Sequence, residues 1–254
     1  MTTKSSMPEQ TDGPRPQPGF TLNFLAAFII AFLAIAAYNT LELLIWIFHF
    51  FKRRRGLYFW SILACTLSVG LFTLASILQA FVLAPLTFTI PVVAISFPTM
   101  LAAQSLILYS RLHLISTPSA LLRFVFWGII VTSVFLHIPF AINSIGFTVN
   151  TARFSPPQVY VEWYMITGDV AREVFICGLY LYQAIRQLRP IIEMKGQAGR
   201  CIMVHLMLVN VAVIVFNVLA LCVVYKGPSM MGSAYLSFAQ SVKLRMEFVV
   251  LLRS

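Results

Sequence analysis

The apolar residues of this chain gather into long runs, and seven can be read, approximately Thr21–Phe51, Leu57–Ala84, Leu86–Ile115, Leu121–Phe147, Tyr160–Ile185, Cys201–Tyr225 and Met230–Leu252. Each is about 20 residues or longer, the length a helix needs to cross roughly 30 Å of hydrocarbon. The pattern predicts an all-α polytopic membrane protein with seven transmembrane helices in one bundle over residues 21–254. The segment before them, "MTTKSSMPEQTDGPRPQPGF", is rich in Pro, Ser, Thr and Gln. It cannot bury an apolar face, so a disordered polar tail is expected over residues 1–20. A long polar tail followed by a run too long for a signal-peptide core points to the first helix as its own insertion signal.

Composition agrees with this reading. Of 254 residues, 59% are hydrophobic and only 10% charged, with a mean hydropathy of +0.87, far from the values of a soluble domain. The net charge of +10 could suggest nucleic acid, but its basic groups sit in short loops between apolar runs instead of on a soluble face. No nucleic-acid partner is expected. The first, third and fifth loops and the C-terminus together hold eleven Lys and Arg, against four on the opposite side. By the positive-inside rule this places the N-terminus outside the cytosol and the C-terminus within it. An endomembrane such as the endoplasmic reticulum is the expected location.

The remaining three cations, Arg172, Lys243 and Arg245, lie inside predicted helices, as do four acids, Glu42, Asp169, Glu173 and Glu247. Charge within a membrane segment costs several kcal/mol unless paired or hydrated, so it marks a candidate site. In "TGDVAREVF", Asp169, Arg172 and Glu173 are spaced i, i+3 and i+4 and share one helix face. Lys243 and Glu247 are likewise four apart in "SVKLRMEF". In "YNTLELLIW", Tyr38 or Asn39 shares a stripe with Glu42. Turning the three stripes inward brings acids and bases from helices one, five and seven together.

Two uses of that meeting follow. In one, the charges form interhelical ion pairs that lock the bundle, with Asp169 or Glu173 facing Lys243 or Arg245. In the other, four acids against three bases leave one acid without a cation. A carboxyl so placed stays protonated and can donate a proton. Glu42 is the candidate general acid, since its helix supplies no base before Lys52, with Asp169, Glu173 and Glu247 shaping or completing the site. Tyr38, Asn39 and Trp46 are candidate substrate-lining residues. Aromatic faces stabilise cations, and a general acid beside them is what cyclisation of an apolar epoxide or polyene requires.

Cys65, Cys177, Cys201 and Cys222 fall in apolar runs without CxxC spacing, and His49, His113, His137 and His205 are scattered. Neither a disulfide framework nor a metal site is expected, and no cofactor. Phosphate-cradling, dinucleotide-binding, nucleophile-elbow and zincin motifs are missing from the sequence.

The segments "YNTLELLIWIF" (Tyr38–Phe48), "RGLYFWS" (Arg55–Ser61), "AQSLILYSRLHL" (Ala103–Leu114), "LHIPF" (Leu136–Phe140) and "SVKLRMEF" (Ser241–Phe248) together resemble a family of fungal seven-helix integral membrane proteins of unknown function. The resemblance spans nearly all the chain beyond the tail and implies this topology and a fungal source, without an active site. In size, helix count and intramembrane acids the chain is more loosely similar to the membrane-bound terpene cyclases of fungal meroterpenoid pathways. That likeness implies an isomerase acting on a lipophilic terpenoid intermediate, and it carries over no residue.

Other classes fit less of the sequence. The inferred topology is that of G-protein-coupled receptors, and "YSRLH" faintly resembles their acidic-Arg-Tyr motif, with Ser110 where the acid would stand. A receptor-like or sensory protein without catalytic activity is therefore the alternative expectation. Lys243 resembles the Schiff-base Lys of microbial rhodopsins, but Ala239 stands where their Asp would be. A transporter would be expected to show internal repeats, and the two halves show no convincing one.

Overall fold

The computed structural model describes residues 18–50, 57–114, 119–149 and 151–253. All are helical apart from short turns, in six continuous stretches: α1 (Pro18–Phe50), α2 (Leu57–Ala80), α3 (Leu86–Leu114), α4 (Ser119–Val149), α5 (Thr151–Lys226) and α6 (Ser229–Arg253). The polar tail expected over residues 1–20 lies outside the described residues as far as 17, and helix has already begun at Pro18. Pro suits a first helical turn, where its missing N–H would have no partner. The Lys52–Arg55 run also lies outside the described residues.

Expected helices five and six form one unbroken helical stretch, α5, yet it is not one rod. Asn217 Nδ2 donates to Glu173 Oε2 at 2.7 Å across 44 residues, which a straight helix would hold about 66 Å apart at 1.5 Å per residue. The stretch therefore folds back between two antiparallel arms. Farther along, Tyr225 bonds the hydroxyl of Thr167 at 2.8 Å and its ring lies 4.8 Å from that of Trp163. The sequence between the arms holds Pro190, Gly196 and Gly199, residue types at which helices kink. Counting the arms separately gives seven helical rods among the described residues.

Five of these rods are long and apolar enough to cross a membrane: Phe24–Phe50, Tyr58–Ala80, Thr87–Ser110, Ala120–Val149 and Met207–Lys226. The two that fall short, the first arm of α5 and α6, are those that carry Asp169, Arg172, Glu173, Lys243, Arg245 and Glu247. Each rod packs against the next in sequence, α6 closes back on α1, and α3 also touches α5. Short connections make this sequential order the economical one. The α2–α3 turn holds Val82 at φ 53°, the left-handed region that a β-branched residue rarely adopts.

Burial is inverted relative to a soluble protein. Ile45, Ile95 and Phe124 are about 70% exposed on the outside of the bundle, while Lys243, Glu173 and Asp169 are 2% exposed within it. In water this arrangement would be strongly unfavourable, since apolar surface drives association. In a bilayer the apolar side chains face lipid and the polar groups face one another. The chain is a membrane-embedded protein. Its core has two patches, a large one around Ile62, Met100, Ile107 and Met165 that draws on all six stretches, and a smaller one around Leu112, Ile176 and Val213.

Candidate functional site

The predicted stripe on α5 points into the bundle, where Asp169, Arg172 and Glu173 are 2, 7 and 2% exposed. Lys243 reaches them from α6. Its Nζ lies 3.0 Å from Glu173 Oε2 and donates to Asn217 Oδ1 at 2.7 Å. With the Asn217 bond to Glu173 already described, three rods meet in a closed triangle. An ammonium shared by a carboxylate and an amide oxygen in this way satisfies charge and hydrogen bonding together.

Arg172 closes a second group one turn away. It forms a tight ion pair with Asp169 on its own helix. Its Nη1 also donates to Ser133 Oγ at 2.9 Å and Thr132 Oγ1 at 3.4 Å, and its Nη2 to the Leu101 carbonyl at 3.4 Å. The fork thus ties α3, α4 and α5 through neutral acceptors. His137 Nε2 lies 3.5 Å from Asp169 Oδ2. Deeper still, Gln104 Nε2 donates at 3.5 Å to Glu247, which is fully buried.

Three sequence expectations change here. Glu42, expected to be the acid left without a cation, is held by Arg245: Nη2 donates to Oε1 at 3.1 Å and Nη1 lies 3.1 Å from Oε2. The reason is that α1 and α6 are neighbours, so the Arg245 fork lies across both carboxylate oxygens and also donates to Asn39 Oδ1 at 2.9 Å. Tyr38 and Trp46, expected to line a substrate, are 65 and 41% exposed on the outer surface. Only Asn39 of that trio turns inward, where it donates to Ser241 Oγ at 3.3 Å.

The Glu42–Arg245 pair is the outermost of the set, with the Arg245 side chain 46% exposed. Solvent or headgroups screen such a pair. Glu42→Gln is accordingly expected to change stability by less than about 1 kcal/mol in thermal unfolding of the detergent-solubilised protein. A loss of several kcal/mol would show that the pair is structural.

One cavity adjoins the charges and a second lies next to it. The inner one, of about 20 Å³, is bounded by Asp169, Glu173, Asn217, Gln240 and Lys243, and has room for about one water molecule. Gln240 Oε1 and Glu173 Oε1 are buried there without a hydrogen-bond donor among the described residues. The outer cavity, of about 270 Å³, lies at the end of the bundle where α2 and α4 finish and α3, α5 and α6 begin. Its walls are aromatic: Phe72 stacks on Phe97 at 5.1 Å, and Phe140 meets Phe97 edge-on at 5.6 Å. Glu162, Gln79 and Ser144 add polar groups.

Sequence reading missed the neutral partners. Asn217 sits in a span of mean hydropathy 2.7, and an amide in so apolar a segment was itself a signal of inward facing. His137, grouped with the scattered histidines, stands beside Asp169 because a turn of α4 faces α5. Glu162 was visible as an acid near a helix mouth, but its cavity is assembled from five rods.

The family model described as "Domain of unknown function (DUF7703)" matches residues 22–254. No curated protein and no solved structure matches the chain.

Proposed function

The chain belongs to the DUF7703 family, which its description leaves without an activity, and from the geometry we propose a receptor-like multi-pass membrane protein. It binds a small ligand in the outer cavity and registers occupancy at the ion cluster beneath. The observation that carries this reading is a shared wall: Phe97 and Leu236 line both cavities. A ligand that moves either side chain presses on the space against Asp169, Glu173 and Lys243. Cavities between the helices of a bundle are common ligand sites, and tightly packed cores convert small shifts into discrete rearrangements. With the basic residues placed on the cytosolic side, the outer cavity opens away from the cytosol.

A second reading, acid-initiated cyclisation of a terpenoid, is favoured by one observation, the carboxyl of Glu162 in an aromatic-walled space of about 270 Å³. In that reaction the acid would protonate an epoxide or alkene, and the resulting cation would lose a proton to give an isomer. Glu162 would be the donor in place of Glu42, which Arg245 holds. Asp169 and Glu173 stand in ion pairs beside room for one water.

The test fills the outer cavity. Ser233 lies on its wall, so Ser233→Trp is expected to abolish ligand-induced thermal stabilisation found by screening small amphipathic compounds against the wild type in nanodiscs. Stabilisation that survives Ser233→Trp would place the ligand elsewhere. Conversion of a prenylated aromatic epoxide to an isomer, lost in Glu162→Gln, would favour the cyclase.

A further inference from the structure

Glu162 differs in its surroundings from Asp169, Glu173 and Glu42. Asp169, Glu173 and Glu42 each have a cationic partner, whereas no Lys or Arg is among the described residues that line the cavity of Glu162. The carboxyl is half-buried there. An ionised carboxylate in such a place is poorly solvated and gains from a cation brought by a ligand.

The rest of the wall suits the same ligand. Phe72, Phe97, Phe140 and Phe147 surround the space, and aromatic faces attract an ammonium while their bulk receives an apolar body. Ser144 lines it too, 2% exposed, and its Oγ is buried without a hydrogen-bond partner among the described residues. A hydroxyl so placed has a free acceptor, which an N–H would satisfy. Gln79 and Ser76 offer further polar atoms on the wall.

We infer that the outer cavity binds a small organic monocation with an apolar body, its ammonium against the Glu162 carboxylate and the body among the phenylalanines. This inference rests on the reading of the cavity as a ligand site and specifies what kind of ligand it takes. A volume of about 270 Å³ is just below the usual range for small-molecule pockets, which suits a ligand of arylalkylamine size. Recognition then divides into two parts. The carboxylate selects the charge, and the rings accept any apolar group of the right size.

The experiment uses the full chain in nanodiscs and two probes of matched size, 2-phenylethylammonium and the neutral 2-phenylethanol, in equilibrium binding corrected against empty nanodiscs. The expected result is at least a tenfold preference for the ammonium in the wild type. Glu162→Gln should erase the preference, Glu162→Asp should keep most of it, and Ser233→Trp should abolish binding of both probes. Equal binding of the two probes, unaffected by Glu162→Gln but lost in Ser233→Trp, would overturn the cation inference and leave the cavity as a ligand site. No binding of either probe to folded wild type would overturn both. If Glu162→Gln fails to fold, the comparison of the two probes on the wild type and on Glu162→Asp still decides the question.

Discussion

Replacing Lys243 by Met is expected to destabilise the protein by about 3 kcal/mol or more, because it leaves the Glu173 carboxylate uncompensated in the interior. Lys243 is 2% exposed and shares its ammonium between Glu173 Oε2 at 3.0 Å and Asn217 Oδ1 at 2.7 Å. Without it, Glu173 Oε2 keeps the neutral Asn217 Nδ2 donor but loses the ammonium. A charge at the centre of a membrane helix costs about 2.5–3.5 kcal/mol on insertion scales, which sets the size of the effect. The double variant Lys243→Met with Glu173→Leu should recover most of the loss. Removing both charges also removes the desolvation penalty that the pair had to offset. Thermal unfolding of the wild type, the two single variants Lys243→Met and Glu173→Leu, and the double variant in one detergent measures this. A single Lys243→Met variant as stable as the wild type would show that the Lys243–Glu173 pair does not stabilise the fold.

The double-variant cycle also bears on function. If the cluster only glues helices, the charge-free double variant should bind ligand as the wild type does. If it registers occupancy of the outer cavity, ligand affinity should change even though neither residue lines that cavity, since coupling between two sites is reciprocal.

Much of the architecture was legible because the bilayer imposes one demand, about 20 apolar residues per crossing. The inward stripe of Asp169, Arg172 and Glu173 was legible for a similar reason, since i, i+3 and i+4 share a face whatever the helix packs against. Partner choice was not. Lys243 and Arg245 are two residues apart, so they point to different flanks of α6. One reaches Glu173 on α5 and the other Glu42 on α1. Only the placement of neighbouring rods decides which acid each meets, and that is long-range information. The outer cavity was illegible for the same reason. Ser76, Phe97, Ser144, Glu162 and Ser233 come from five separate rods, and no local spacing connects them.

At the second ion pair the two partners are expected to be unequal. Arg172→Met should cost about 3–5 kcal/mol, the range for breaking a buried pair, whereas Asp169→Asn should cost about 1.5–3 kcal/mol, the range for one hydrogen bond to a charged group. The asymmetry lies in what each residue keeps. With Asp169 replaced by its isostere, Arg172 still donates to Ser133 Oγ, Thr132 Oγ1 and the Leu101 carbonyl. A guanidinium spread over three neutral oxygens is partly solvated by the protein. With Arg172 gone, Asp169 keeps only His137, 3.5 Å away, as a cationic candidate among its described contacts. Unfolding midpoints of the two variants, measured side by side, should rank Arg172→Met below Asp169→Asn. The reverse order would mean that the oxygens around Arg172 do not stabilise its charge. The Asp169 carboxylate would then be what secures the contact of α5 with α3 and α4.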